Sequence, residues 1–234
     1  MLRSMLTLAL LASAHASFAQ ETPDGWFLSG NKSAAYAVAP GTGGSGKSAV
    51  LRSVTDPEGG AGLLIQASRA GFYAGRRARL TARVKTQDAA GWAGLILRAE
   101  DKNGTIVALD NMNTRPIKGT TDWQTATVIL DIPASATTLV YGLSLTGTGT
   151  AWLDDVKLDP VGPEIEVTWA VSYEMPKRPL DAELIRPAPD NLSLEAWSVA
   201  RAAAAPVTTE PAGPGFTTRA VNPGSTTQKP RALD

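Results

Sequence analysis

Ala78-Arg79-Leu80-Thr81-Ala82-Arg83-Val84-Lys85 alternates strictly between apolar and polar side chains. A β-strand sends successive side chains to opposite faces. Leu80, Ala82 and Val84 therefore fall on one face, and Arg79, Thr81, Arg83 and Lys85 on the other. The stretch reads as a half-buried strand, core on one side and water on the other. Residues 123–132 repeat the pattern. Ala126, Val128, Leu130 and Ile132 make one face, broken only by Gln124, while Thr125, Thr127 and Asp131 look outward. Residues 92–99 are apolar on both faces, as a strand buried on both sides must be. Further short apolar runs lie at 34–38, 48–54, 61–67, 139–145 and 151–158. The connections carry turn chemistry: Asn103-Gly104 within Asp101-Lys102-Asn103-Gly104, and Thr146-Gly147-Thr148-Gly149. No amphipathic helix interrupts residues 25–159. Many short strands with glycine turns predict an all-β, antiparallel β-sandwich.

The ends have other characters. Residues 1–19 read as a secretory signal peptide: Arg3, a short run of Leu and Ala, then Ser17-Phe18-Ala19 before a cleavage at Gln20. The apolar run is too short for the roughly 20 residues that span a bilayer, and no later segment crosses one. The expected product is an exported bacterial protein, periplasmic or secreted. Its one histidine, His15, lies in the removed leader, and the 234-residue chain has no cysteine. Export without cysteine places stability in the core. The usual neutral-pH general base, zinc ligands and thiol nucleophile are absent. Lys plus Arg and Asp plus Glu each number 22, so no basic stripe for nucleic acid stands out, and no nucleic-acid partner is expected. The β-sandwich is expected over 20–161. Ile165, Val167, Trp169, Val171 and Tyr173 alternate with polar residues and predict one additional strand within 162–175. Residues 176–189 read as a linker. Residues 192–204 read as a short helix capped by Asp190 or Asn191, and the Pro/Gly/Thr/Ala-rich remainder to 234 as a disordered tail.

Gly41-Thr42-Gly43-Gly44-Ser45-Gly46-Lys47-Ser48 matches the phosphate-binding loop pattern in every position. Such a loop must open a helix after a buried strand. Asp56-Pro57-Glu58-Gly59-Gly60 leaves no room for that helix, so the segment is read as a Gly/Ser loop leading into a strand.

Several stretches together resemble a known module: 74–82, Gly91-Trp92-Ala93-Gly94-Leu95, Asp110-Asn111-Met112, 115–123, and Gly147-Thr148-Gly149-Thr150-Ala151-Trp152-Leu153-Asp154-Asp155-Val156. The module is a bacterial jelly-roll β-sandwich found beside some AraC-type regulators and some exported hydrolases. It is similar to the galactose-binding-like folds that include many carbohydrate-binding modules. The resemblance spans about 25–161 and implies a jelly roll that binds carbohydrate or another envelope ligand without catalysis. Two other roles stay open: a structural or protein-interaction module engaging a partner through 164–174 or the tail by strand addition, and an accessory domain of a hydrolase. No carboxylate pair stands out as a glycosidase couple.

Aromatic rings stack on the apolar faces of sugars, and polar neighbours fix the hydroxyls. Trp92 and Trp123, at strand entrances, are rim candidates, and Trp152 reads as core because it shares parity with Val156 and Leu158. Asp110, Asn111, Asn113 and Arg115 surround Met112 either as a binding loop or as an ordinary turn bonding its own backbone. Arg98 on an otherwise apolar strand either lines a cleft or pairs with Asp110 or Glu100. The ligand-binding candidates are thus Trp92, Arg98, Asp110, Asn111, Arg115 and Trp123, with no catalytic residue and no cofactor. In related jelly rolls a calcium ion often sits near the closing strand. The resemblance implies Asp154 as a candidate structural calcium ligand, and the alternative is a carboxylate accepting backbone hydrogen bonds.

Overall fold

The computed structural model describes residues 21–44, 46–168 and 179–199. They form β1 (Glu21–Pro23), β2 (Phe27–Ser29), β3 (Tyr36–Thr42), β4 (Lys47–Ser53), β5 (Ala61–Arg69), β6 (Arg77–Glu100), β7 (Ile106–Asp110), β8 (Ile117–Asp131), β9 (Thr138–Thr146), β10 (Thr150–Val161), β11 (Ile185–Arg186) and β12 (Trp197–Val199). Among the described residues, helix is confined to one-turn 3-10 segments at Ser33–Ala35, Gly71–Tyr73 and Ala182–Leu184. No described helix is long and apolar enough to cross a membrane. The pairing is antiparallel, as the alternation predicts, except where β11 runs parallel to β5.

The 24-residue β6 builds both layers. Its first half lies between β10 and β8, and its second half between β9 and β7. Beyond β10 the first layer continues through β4 to β3. Beyond β9 the second continues to β5, with β2 and β11 end to end on its far edge. Between Val84 and Ala93 the ladder to β8 shifts register three times, and Asp88 adopts φ of 51°. Such irregularities bend a strand, so the runs read as 78–85 and 92–99 are one strand folded over the edge of the sandwich. Leu80, Ala82 and Val84 face Leu95, Leu97, Leu143 and Leu145 across a common core. The second half of β6 is buried on both sides, because Ile96 joins Ile65, Ala67 and Val140 in a smaller cluster on the outer face of the second layer.

Three buried tyrosines each place their hydroxyl on a partner in another element. The Tyr36 hydroxyl lies 2.8 Å from the Gly60 carbonyl and 2.9 Å from that of Gly147. Tyr73 donates to Leu158 O and Tyr141 to Gln66 Oε1. Burial pushes all three phenols up, Tyr36 to about 12. An unfolded chain releases these protons near pH 10, so from about pH 10 to 12 the native state holds more protons and loses stability as pH rises. The expected result is a melting temperature that falls above about pH 10, with absorbance at 295 nm showing these rings ionise only as the fold is lost. Ordinary titration of all four tyrosines in the folded protein would contradict this packing.

The C-terminal region differs from its sequence reading. No strand forms at 162–168. Ile165 N donates back to Gly162 O and closes a turn. The carbonyls of Pro163 and Ile165 accept from Arg77 of β6, and Thr168 exchanges hydrogen bonds with the Ile129 backbone at the β8 edge. Residues 169–175 lie outside the described residues. Over 192–199, the described part of the expected helix at 192–204, the chain makes a turn, with Leu194 at φ of 61°, and then β12, which pairs with β1. The Asn191 side chain caps no helix. Its amide donates to the carbonyls of Asp24 and Ala196 and accepts from Ala196 N. Leu194 is fully buried in the main core, and Leu180 and Ile185, from the stretch read as a linker, pack on the outer cluster. Residues 1–19, read as a signal peptide, and residues 200–234 with the expected tail lie outside the described residues.

Candidate functional site

Arg83 and Lys85 alternate with the buried Ala82 and Val84, so they project from the outer face of the first layer. The neighbouring strands place an indole beside each. Trp152 on β10 lies opposite Lys85, whose ammonium is 5.7 Å from the indole centroid. Trp123 on β8 lies 5.6 Å from the Arg83 guanidinium carbon. Both indoles are half-buried. One strand separates them, so their backbones stand roughly 10 Å apart, a spacing that lets one extended sugar chain meet both rings. Thr125 and Thr127 continue the face along β8 and also form one wall of a groove of about 380 Å³, whose other lining residues include Met112, Arg115 and Lys118.

Trp152 is therefore not a core residue. The pairing of β10 with β6 slips between Asp154 and Lys157, and Asp155 takes φ of 49°. This bulge reverses the phase of the strand. Ala151 and Leu153 enter the core before it, Val156 and Leu158 after it, and Trp152 is left outside.

Asp154 shares the Trp152 side but is covered by the β3–β4 hairpin. Its Oδ2 accepts from Gly44 N (2.9 Å) and its Oδ1 from Asp155 N (2.8 Å). A calcium ion takes 6–8 oxygen ligands, and the described residues contain no group of three acidic or histidine side chains able to hold a metal. The two bonds to Asp154 are the alternative weighed against a calcium ligand, a carboxylate accepting from backbone amides. Asp154 ties the hairpin to β10. The hairpin is the segment with the phosphate-loop pattern, and it opens β4, not a helix.

The structure does not gather the sequence-selected residues at one point. Trp92 is half-buried and opposite Thr146 on the second layer, away from Trp123. Arg98, also on that layer, has its Nε 2.8 Å from Glu100 Oε1, and both side chains are buried. Asp110 and Arg115 form a different unit. Arg115 donates to both Asp110 oxygens and to Thr127 O, and Thr168 Oγ1 donates to Asp110 Oδ2 at 2.6 Å. Since Asp110 ends β7 in the second layer and Thr127 belongs to β8 in the first, this network closes the open edge between the layers. Asp110 Oδ1 accepts from Met112 N and Asn111 Oδ1 from Asn113 N, the self-bonded turn weighed against a binding loop. Arg115, Trp123 and the groove remain on one side of the molecule. Arg83 and Lys85 were not among the sequence candidates, although their outward parity was legible, and Trp152 was read as core because the bulge hides its phase.

No family model matches the chain. Over 132 residues it is 33% identical to the uncharacterized HTH-type transcriptional regulator YbfP of Bacillus subtilis (strain 168), a stretch covering 56% of this chain and 42% of that protein. The chain thus spans less than half the length of that relative. Among solved structures it is similar to the C-terminal family 22 carbohydrate-binding module of Clostridium thermocellum Xyn10B (TM-score 0.44, 15% identity, 61% of this chain and 93% of that one). It is also similar to TmCBM61 in complex with β-1,4-galactotriose (TM-score 0.41, 14% identity, 60% and 91%). A further likeness is to the enzymatically active domain of Bacteriophage CBA120 tailspike protein 4 (TM-score 0.47, 17% identity, 59% and 20%).

Proposed function

We propose that this protein is an exported, non-catalytic carbohydrate-binding module that takes a sugar chain across Trp152, Lys85 and Trp123. The observation that carries the reading is the pair of half-buried indoles on one sheet face, one strand apart, each beside a cation and bordered by threonines. Indoles on a water-facing sheet are costly unless they pack or bind, and rings in this spacing offer successive stacking sites with hydrogen-bonding neighbours. Arg115 and the groove beside Thr125 extend the surface. Asp110 and Asn111 support its rim by shaping the Arg115 loop, and Trp92 and Arg98 face another side.

The test is affinity electrophoresis and calorimetry against a panel of soluble polysaccharides, using the chain without residues 1–19 and its Trp123→Ala and Trp152→Ala variants. Each substitution is expected to weaken binding about tenfold, a step of 1.4 kcal/mol, and the double variant to abolish retardation while melting as the parent does. Retardation by no glycan, or binding unaffected by the double substitution, would refute the reading.

A further inference from the structure

The face that carries the indoles also has a charge the rest of the chain does not share. Over 234 residues Lys plus Arg and Asp plus Glu balance at 22 each. On the outer face of the first layer, Arg52 from β4, Lys157 from β10, and Arg83 and Lys85 from β6 all point outward. The acids of that face are already engaged. Asp131 accepts two hydrogen bonds from Arg77, at 2.7 and 2.9 Å. Asp159 lies 3.9 Å from Arg79. Asp154 is fully buried beneath the β3–β4 hairpin. Arg52, Lys157, Arg83 and Lys85 form no ion pair with an acid among the described residues. With Arg77 and Arg79 the cations of this face outnumber Asp131, Asp154 and Asp159 on a chain that is neutral as a whole, and the resulting local positive field favours an anionic partner.

Two of these cations lie directly beside the indoles. A sugar ring stacked on Trp123 or Trp152 brings its substituents within reach of Arg83 or Lys85. We infer that the ligand is an anionic glycan, a sugar chain bearing carboxylate or sulfate groups. Its rings stack on Trp123 and Trp152 and its acidic groups pair with Arg83 and Lys85. The inference rests on the carbohydrate reading and adds the chemical class. Arg83 suits a planar carboxylate or a sulfate through its forked donors, while Lys85 supplies a point charge. Thr81 precedes Arg83 along β6, Thr127 and Thr125 lie opposite these two on β8, and all three offer hydroxyl partners to sugar hydroxyls. A single-stranded nucleic acid also combines stacking with charge. It is the less favoured occupant because it calls for a cationic track along its backbone, whereas only Arg83 and Lys85 stand beside the rings.

The experiment measures retention of the chain lacking residues 1–19 on affinity gels containing polygalacturonate, its methyl-esterified form, dextran sulfate or dextran, with an oligo-dT competitor in a parallel series. Each charged polymer is thus compared with a neutral one of the same backbone. The expected result is at least tenfold stronger retention by one charged polymer than by its neutral counterpart, unaffected by oligo-dT. Arg83→Gln with Lys85→Gln should reduce that preference to within twofold without lowering the melting temperature, and the stronger polymer separates carboxylate from sulfate. Equal retention by charged and neutral forms, lost in Trp152→Ala, would overturn the charge inference and leave the carbohydrate reading standing. Charged-polymer retention that persists without both tryptophans would reduce it to ion exchange and overturn it. Tighter binding of oligo-dT than of any glycan would overturn it in favour of nucleic acid. Retention by no glycan at all would remove both readings.

Discussion

A chain ending at Arg178 is expected to lose its cooperative melting transition, whereas a chain ending at Ala200 keeps it. The reason is the number of core groups that residues 179–199 complete. Leu194 is fully buried. Gln66, fully buried in β5, has its amide spent on this segment: Nε2 donates to Asp190 O and Oε1 accepts from Asp190 N, each at 3.0 Å, while Tyr141 donates to the same oxygen. The Trp26 indole donates to Asn191 O. Removing the segment opens a cavity at Leu194 and leaves buried polar atoms without partners, at about 1–3 kcal/mol for each such atom. Native domains hold only about 5–15 kcal/mol in total. The milder substitution Leu194→Ala should cost about 3 kcal/mol, or about 10 °C in melting temperature for a domain of this size. A melting temperature within 2 °C of the parent for the Arg178-terminated chain would mean the segment is an appendage.

Gly142→Ala is the second substitution with a large expected effect. Gly142 sits in β9, paired with Ile65 of β5 on one side and Ile96 of β6 on the other, at φ of 154°. A Cβ there would lie 2.1 Å from Leu64 O and 2.9 Å from Ile65 Cα. Both are backbone atoms of a strand held to β9 from Ala61 to Arg69, so no side-chain rotation relieves the clash. The methyl is expected to cost at least about 3 kcal/mol. Gly59 is the control. It also has positive φ, 78°, but a Cβ at that position would meet nothing within 4 Å, so Gly59→Ala should cost only about 1 kcal/mol. Equal losses in the two, read by urea denaturation, would show that backbone conformation and not the contact with β5 matters.

At 78–85 and 92–99 side-chain chemistry marks the strands and the fold was legible, whereas the equally strict alternation that begins at Ile165 gives a turn and no strand over the described residues 165–168. The alternation at 78–85 assigns every inward and outward residue of that segment correctly, and the double-sided apolarity of 92–99 correctly marks a strand with a core on each face. Glycine turns at 101–104 and 146–149 fall where β6 meets β7 and β9 meets β10. Two kinds of feature escaped. A bulge costs a strand one residue of phase, which composition does not reveal, and it moved Trp152 from one side of the sheet to the other. The segment 179–199 is anchored by one leucine, an indole and side-chain-to-backbone bonds at Gln66 and Asn191, none of which recurs with any period. Polar pairing was half legible. Arg98 does meet Glu100, one of two named partners, while the other, Asp110, serves Arg115 because the turn at Met112 carries that guanidinium back over the sheet edge.

The pairing of β1 with β12 sets Glu21 beside Val199, so the chain enters and leaves the sandwich through a single doorway. A unit built this way can be spliced into a host polypeptide as a closed loop, its two junctions a strand-spacing apart, without pulling the layers open. It can equally hang from one stalk, free to swivel and present its indoles to an immobile surface.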